Sequence, residues 1–125
     1  MTYQEVLEIH AILIDKFGGA NGVRDEGLLQ SAIFRPFATF DGIDLYPSPV
    51  DKAAAIFESI VMNHPFIDGN KRTGYFLMRL ILLESGLDIE ASQADKYDFV
   101  IDVTKGKHTT ESIVGWIALR IVSGK

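Results

Sequence analysis

Apolar residues recur at helical spacing through most of the 125-residue chain, and this pattern predicts six helices. The first helix follows the capping-box sequence from Thr2 to Glu5 and ends at the pair Gly18-Gly19. Its apolar face is formed by Val6, Ile9, Leu13 and Phe17. The second helix begins after Asp25, which can cap it, and is stopped by Pro36.

The third and fourth helices flank the most unusual segment of the chain. Ser48-Pro49 predicts the start of the third helix, and Pro65 predicts its end at about His64. The fourth helix is expected over residues 69–86. Because residues 75–83 are apolar on almost every side, we expect this helix to be buried all round, at the centre of the bundle.

The fifth and sixth helices have equally local signals. Ser92 and Asp95 predict the start of the fifth helix, and Gly106 predicts its end. Thr109 or Thr110 predicts the start of the sixth. The chain is therefore expected to form one domain over residues 1–125, with an all-α fold: a compact bundle of about six helices around a central buried helix.

Residues 37–46 break the helical pattern. Asp41-Gly42 lies between Phe40 and Ile43, which is a short hairpin signal. We interpret the stretch as a hairpin-like surface flap. An irregular loop is the alternative, since two strands this short are marginal alone.

Composition excludes several classes of protein. With 47% apolar, 23% charged residues and a net charge of −5, the chain can build a core and is not disordered. A pI near 5.1 argues against direct nucleic-acid binding, which needs a basic face. The absence of cysteine excludes disulfides, thiolate zinc sites and a cysteine nucleophile. No apolar run could span a membrane and no signal peptide is visible, so we expect a cytoplasmic protein.

The segment from His64 to Arg72, HPFIDGNKR, carries the candidate chemistry. The first turn of a helix has unpaired N–H groups and favours acidic residues, yet Lys71 and Arg72 lie there. Gly69 lets a ligand approach the backbone closely. Free amides, two cations and a glycine indicate an anion site suited to phosphate. The alternative is that Asp68 is an ordinary N-cap and both cations are solvated.

His64 falls on the helical face of Ala53, Phe57 and Ile60, so we expect its side chain to point toward the bundle, beside the fourth helix. A histidine in that position is either a hydrogen-bonded core residue or a base that removes a hydroxyl proton near pH 7.

The neighbouring residues of this segment also have two interpretations each. Asp68 supplies a hard oxygen ligand for Mg²⁺, an ion that takes one or two carboxylates besides phosphates and waters. Phe66 is most simply a core anchor for the loop. Asn70 could bind phosphate or cap the backbone, and its residue type fits both roles.

The other candidate side chains are interpreted structurally. His10 and His108 are expected to be surface or capping residues, and Trp116 a core residue. Lys105 and Lys107 are too few for a nucleic-acid patch. A solvated helical face is expected for Asp95, Asp98 and Asp102.

The sequence HPFIDGNKRTG resembles the central motif of the Fic/Doc family, H-x-F-x-[DE]-[AG]-N-[GK]-R. The version of the motif found here, with lysine after the asparagine, resembles that of the Doc ("death on curing") branch. Members of this branch are the toxins of Phd–Doc toxin–antitoxin modules. Residues 22–29, followed by Arg35-Pro36, resemble the family's second helix. The resemblance covers nearly the whole chain and implies a compact Fic-like fold that transfers part of a nucleotide to a protein hydroxyl.

The resemblance also implies residue roles. His64 is then the general base, Asp68 the Mg²⁺ ligand, and Phe66 the anchor of the motif. An anion hole and phosphate contact are implied for Gly69, Asn70, Lys71 and Arg72. Residues 37–48 would help to hold the target segment, by adding a strand.

Two departures from the broader Fic pattern bear on the reaction. Adenylylating members usually have glycine at the position of Lys71, and often a second arginine at that of Tyr75. Doc-type members are described as protein kinases that modify elongation factor Tu. The resemblance therefore favours γ-phosphoryl transfer from ATP, with transfer of AMP as the alternative and a non-enzymatic helical adaptor as a further one.

Control of the activity is the last implication of the resemblance. Many Fic proteins carry an inhibitory helix with the motif [ST]-x-x-x-E-[GN]. Glu26-Gly27 matches the end of this motif, but Gly22 stands at the position where the motif requires Ser or Thr. We therefore expect restraint by a separate Phd-like antitoxin, whose disordered acidic tail would fold across the helices near the site.

Overall fold

The six predicted helices are all present in the computed structural model, which describes residues 1–124. Their bounds are α1 Tyr3–Phe17, α2 Glu26–Phe34, α3 Pro49–Asn63, α4 Asn70–Glu84, α5 Gln93–Thr104 and α6 Thr110–Ala118. A 3₁₀ turn, Arg35–Phe37, follows α2. The strands are β1 Thr39–Phe40, β2 Ile43–Asp44, β3 Leu87–Ile89 and β4 Ile121–Ser123. The predicted helical class is confirmed, with strands only in two small two-stranded sheets among these residues.

Side-chain caps explain where most of the helices begin. Each cap of α1, α2, α3, α5 and α6 accepts a hydrogen bond from the backbone N–H three residues on. These caps are Thr2, Asp25, Ser48, Ser92 and Thr109. Of the α-helices within residues 1–124, α4 alone begins without a side-chain cap, at Gly69. The exception is the helix start that the sequence predicts to bind an anion.

The flap is a hairpin rather than an irregular loop. Strands β1 and β2 pair antiparallel, with Thr39 opposite Asp44 and Phe40 opposite Ile43. The two turn residues, Asp41 and Gly42, have φ values of +53° and +76°. Positive φ at both positions is the geometry of the tight hairpin turn that Asp-Gly favours.

The centre of the fold is α3 and not α4. Helix α3 packs against α2, α4, α5 and α6, and its buried residues cover most of its length. The prediction that α4 is buried on every side is wrong, because Phe76 and Leu83 are exposed. Residues 75–83 look uniformly apolar, yet one side of α4 faces a groove rather than a packed helix.

Close contact between α3 and α4 depends on a glycine. A methyl group at Gly74 would lie only 2.9 Å from Val61 Cγ2 and 3.4 Å from Ile60 Cβ. Absence of a side chain at Gly74 therefore lets the two helices approach each other. The segment between α3 and α4, which carries the candidate chemistry, is thus anchored by two tightly packed helices.

A second sheet was not predicted. Strand β3 pairs antiparallel with β4, so that Asp88 lies opposite Val122. Both strands have three residues, too few for an alternating pattern to be recognised. Arg79 of α4 donates two hydrogen bonds to the Asp88 carboxylate, at 2.9 and 2.7 Å, and so attaches this sheet to the end of the bundle.

The helices of residues 1–124 are short relative to the thickness of a bilayer. The longest have 15 residues, whereas a membrane span needs about 20 apolar residues. Over residues 1–124, no helix combines the length and apolar character required to cross a membrane.

Candidate active site

A cavity of about 390 Å³ lies where α3 ends and α4 begins. The lining residues come from a single stretch of the chain: His64, Ile67, Asp68, Gly69, Asn70, Lys71 and Arg72. The structure therefore brings the predicted base, the predicted metal ligand and both predicted phosphate-binding cations to one cavity. Phe66 is 1% exposed and lies in the core beside it.

His64 follows the last residue of α3 and adopts the left-handed conformation, with φ 49° and ψ 57°. Its side chain is exposed. The prediction that it points toward the bundle, as its helical face implied, is wrong, because the left-handed backbone turns the residue away from that face. The same turn brings His64 to the lining of the cavity.

Asp68 is not the N-cap of α4, which was one half of the alternative to an anion site. Its Oδ1 accepts a hydrogen bond from the Gly69 amide at 2.9 Å, and its Oδ2 accepts one from the Ala20 amide at 3.2 Å. Gly69 is the cap residue and has φ +76°. Since Gly69 has no side chain, the first-turn amides of α4 lack the acceptor that the other helices have.

The two cations of the first turn are exposed and available. Neither Lys71 nor Arg72 forms an ion pair with any described residue. The Arg72 guanidinium lies 4.3 Å from the centre of the Phe17 ring of α1, which gives it a cation–π contact. Positive charge and the positive end of the α4 dipole are therefore concentrated at one side of the cavity.

Asn70 uses its side chain to hold the loop. Its Oδ1 accepts from the Phe66 amide and its Nδ2 donates to the Phe66 carbonyl, both at 3.0 Å. The side chain is buried, and these two bonds fix the turn from Phe66 to Asn70. Of the two roles that the sequence left open, the structure shows the backbone contact, and the amide of Asn70 remains in the first turn of α4.

His10 supports the same loop from α1. Its ring stacks on Phe66 with 3.8 Å between centroids and 5° between planes. Its Nε2 donates to the Asp68 carbonyl at 2.8 Å. The prediction that His10 is a surface or capping residue is wrong, since it is 1% exposed. Its spacing from Val6 and Leu13, both buried, was the available signal.

The segment of residues 18–25 packs directly against the site loop. The Gly22 carbonyl accepts from the Ile67 amide at 3.0 Å, and the Pro65 carbonyl accepts from the amides of Arg24 and Asp25 at 2.7 and 3.0 Å. The approach is so close that a methyl group at Gly19 would lie 2.9 Å from Asp68 Oδ2. Residues 18–25 therefore act as a backbone support for the loop.

A second cavity, of about 470 Å³, adjoins the first. Lys71 and Arg72 line both cavities. The larger one continues as a groove between α1, α4 and α5, which Tyr75 lines. The Tyr75 hydroxyl group itself is buried and has no hydrogen-bond partner in the described residues. Burial raises the pKa of the Tyr75 phenol, so this group is a neutral donor at pH 7.

The carboxylate of Asp68 fits a Mg²⁺ ion that has only one protein ligand. Among residues 1–124, no cluster of three or more His, Cys, Asp or Glu side chains is arranged around a common point. Asp68 is exposed at the cavity, and the two amides occupy two of about four lone-pair positions on its oxygens. One carboxylate with free lone pairs suits Mg²⁺ that receives its other ligands from phosphates and water.

Comparison of the sequence with known proteins identifies the family of this chain. Residues 1–82 match the model of the Fic/DOC family. Toxin Doc of Mycolicibacterium smegmatis is 44% identical over 86 residues, which are 69% of this chain and 62% of that protein. Protein adenylyltransferase fic-1 of Caenorhabditis elegans is 45% identical over 38 residues, which are 30% of this chain and 8% of that protein. The chain thus spans less than two thirds of the length of either relative. Residues 1–82 include every residue that lines the smaller cavity, and the chain belongs to the Fic/DOC family.

Proposed function

We propose that this chain is a Doc-like toxin, a transferase that moves the γ-phosphoryl group of ATP to a hydroxyl group of a target protein. One observation carries the proposal: the uncapped start of α4, with Lys71 and Arg72, opens into the cavity that His64 lines. An anion-binding helix end and a base are thus neighbours in a chain of the Fic/DOC family.

The charge pattern of α4 supports a polyphosphate ligand. Placing two cations in the first turn of a helix opposes the helix dipole by a few tenths of a kcal/mol each. A bound phosphate chain reverses that cost, because it accepts from the free amides and pairs with Lys71 and Arg72. Gly69 has φ +76°, and a methyl group there would lie 3.0 Å from Ile14 Cδ1 of α1. Glycine therefore lets the loop pack on α1 while α4 begins without a side-chain cap.

The roles of His64 and Asp68 follow from the same arrangement. His64 accepts the proton of the target hydroxyl while the hydroxyl oxygen forms a bond to the γ-phosphorus of ATP. The bond between that phosphorus and the β–γ bridging oxygen breaks, ADP leaves, and the phosphorylated protein is released. Asp68 would hold Mg²⁺, which supplies charge neutralisation on the phosphates when it is bound. Lys71 and Arg72 orient the phosphate chain throughout.

The position of the larger cavity favours γ-phosphoryl transfer over AMP transfer. Its volume of about 470 Å³ is in the range of small-molecule sites. If the nucleoside lies in this groove, the phosphates cross Lys71 and Arg72 and the terminal phosphate reaches His64. AMP transfer instead requires the α-phosphorus at the target hydroxyl beside His64, with diphosphate as the leaving group. The match to an adenylyltransferase over 38 residues makes AMP transfer the second candidate.

Label transfer from ATP distinguishes the reactions. The protein is incubated with Mg²⁺, a bacterial extract and ATP carrying the label at either the α- or the γ-phosphate. We expect a labelled protein only from γ-labelled ATP, and no label with His64→Ala. Label from the α-position would show AMP transfer instead. A chain that transfers neither label and binds no ATP would be a helical adaptor.

The target and partner are part of the proposal. We propose a translation factor as the target, and elongation factor Tu as the first one to test. Because translation factors act in the cytoplasm, we also propose that the reaction occurs there. The flap offers an exposed edge for a target segment, since Phe40 and Ile43 are 70% and 71% exposed. We further propose a Phd-like antitoxin as the partner that restrains the activity.

Growth provides the test of the toxin role. Expression without an antitoxin is expected to arrest a bacterial host, and His64→Ala or Asp68→Ala to abolish the arrest. Normal growth with abundant wild-type protein would contradict this part of the proposal. Absence of label on purified elongation factor Tu, with label on another protein of the extract, would replace the target and leave the reaction in place.

A further inference from the structure

The last carbonyl groups of α3 are held by a side chain from a distant part of the sequence. Arg24 Nε donates to the His64 carbonyl and Arg24 Nη2 donates to the Asn63 carbonyl, both at 2.6 Å. Terminal carbonyls of a helix have no partner within the helix. A guanidinium group suits them because its planar fork can donate to two acceptors at once.

The backbone of His64 needs such support. A residue other than glycine in the left-handed region is strained by about 1–3 kcal/mol, and glycine is the usual residue where a helix ends this way. The amide of His64 donates to the Ile60 carbonyl at 3.2 Å, and its carbonyl is held by Arg24. Both polar groups of the strained residue are therefore tied.

We propose that Arg24 is a positioning residue for His64. By binding the carbonyls of Asn63 and His64, it keeps His64 in the left-handed conformation that directs the imidazole to the cavity. Arg24 does not line that cavity, so it acts through His64 and not on the nucleotide. The inference rests on the proposed function, in which His64 is the base.

A purely structural role for the Arg24 side chain is the competing explanation. Backbone hydrogen bonds already join residues 18–25 to the site loop, from Arg24 and Asp25 to the Pro65 carbonyl and from Ile67 to the Gly22 carbonyl. The guanidinium and the residues it binds, Asn63 and His64, are exposed, so water can solvate the two carbonyls when it is removed and the loss is confined to the end of α3. Its removal is therefore expected to leave the fold and the anion site intact and to free the backbone of His64.

The chain offers a matched control in Arg120. Its Nη1 donates to the Trp116 carbonyl near the end of α6 at 3.1 Å, and its guanidinium lies 4.3 Å from the centre of the Trp116 ring. Arg120 thus also binds a carbonyl near a helix end, but it lines neither cavity. Arg24→Gln and Arg120→Gln each remove one such guanidinium. Arg24→Lys keeps the charge but replaces the planar fork by a single ammonium group. We therefore expect it to retain part of the function.

The decisive readout separates nucleotide binding from turnover. For Arg24→Gln we expect the initial rate of γ-label transfer to fall about 10- to 100-fold, as small misplacements of a catalytic group do. The dissociation constant for MgATP should stay within about twofold, since Lys71 and Arg72 are untouched. Arg24→Lys should recover part of the rate, and Arg120→Gln should match the wild type. An unchanged rate in Arg24→Gln, or an equal loss in Arg120→Gln, would overturn the proposal.

A second measurement keeps the inference separate from the proposed reaction. The chain has three histidines, so the imidazole NMR signals of His64 can be assigned by their absence in His64→Gln. We expect Arg24→Gln to shift these signals, with those of His108 unchanged. If the wild type neither binds ATP nor transfers label, the proposed function fails. His64 signals that do not respond to Arg24→Gln would refute the positioning role by themselves.

Discussion

Replacement of Asn70 by alanine tests whether the site loop is held by side-chain bonds to its own backbone. The variant removes the acceptor of the Phe66 amide and the donor to the Phe66 carbonyl, both at 3.0 Å. Phe66 is 1% exposed, so water does not reach these groups without a change in the loop. The Asn70 side chain should therefore contribute to the stability of the whole protein.

The size of the effect follows from these two contacts. Each bond contributes about 1 kcal/mol net, and a buried group left without a partner costs about 1–3 kcal/mol. Allowing for partial relaxation of the loop, we expect Asn70→Ala to lower the free energy of unfolding by about 2–4 kcal/mol. MgATP should also bind more weakly, because the turn that presents Gly69 is no longer fixed.

Urea unfolding at 25 °C, followed by circular dichroism at 222 nm, measures the loss. Asn63→Ala is the matched control, because Asn63 is exposed and its side chain forms no hydrogen bond with the described residues. The control is expected within about 0.5 kcal/mol of the wild type. A loss below about 1 kcal/mol for Asn70→Ala, or one equal to the control, would refute the reasoning.

Three further changes probe other parts of the structure. His10→Phe keeps the aromatic stack but loses the donor to the Asp68 carbonyl, so we expect a loss of about 1–2 kcal/mol in urea unfolding, together with weaker MgATP binding; unchanged MgATP affinity would separate His10 from the site. Gly74→Ala forces α3 and α4 apart, and a lower melting temperature, equivalent to about 1–3 kcal/mol, is expected by calorimetry; an unchanged melting temperature would contradict the close packing. The hydrogen bonds from Arg79 hold the pKa of Asp88 below its ordinary range. The ionised Asp88 therefore stabilises the fold above about pH 4, and this contribution is lost as the pH falls through the lowered pKa. Asp88→Asn should therefore cost up to about 1 kcal/mol at pH 7 and progressively less in acid, and a cost that is equal at pH 7 and pH 3 would contradict the assignment.

Features that depend on neighbouring residues were predictable from the sequence. The caps Thr2, Ser48 and Ser92 bond to amides three residues away, so residue type and spacing are sufficient to recognise them. The turn at Asp41-Gly42 is equally local, because positive φ at two successive positions is specific to few residue pairs. The motif from His64 to Arg72 is contiguous, and its residues line one cavity for that reason.

Features that depend on distant residues were not predictable. The hydrogen bond from His10 to Asp68 joins residues 58 positions apart, and the sequence around neither residue indicates the other as its partner. The direction of His64 depends on a left-handed backbone, which helical spacing does not include. The contact of Arg24 with His64 spans 40 positions, and its significance appears only when the end of α3 is seen in three dimensions.

Titration of the ¹⁵N-labelled protein with MgATP tests the central claim most directly, since it reports on each amide at the start of α4. We expect saturable shifts of the Asn70, Lys71 and Arg72 amide signals, which belong to the first turn of α4. Magnesium triphosphate should reproduce these shifts and adenosine should not. Saturable binding that leaves these three signals in place, or no binding at all, would contradict it.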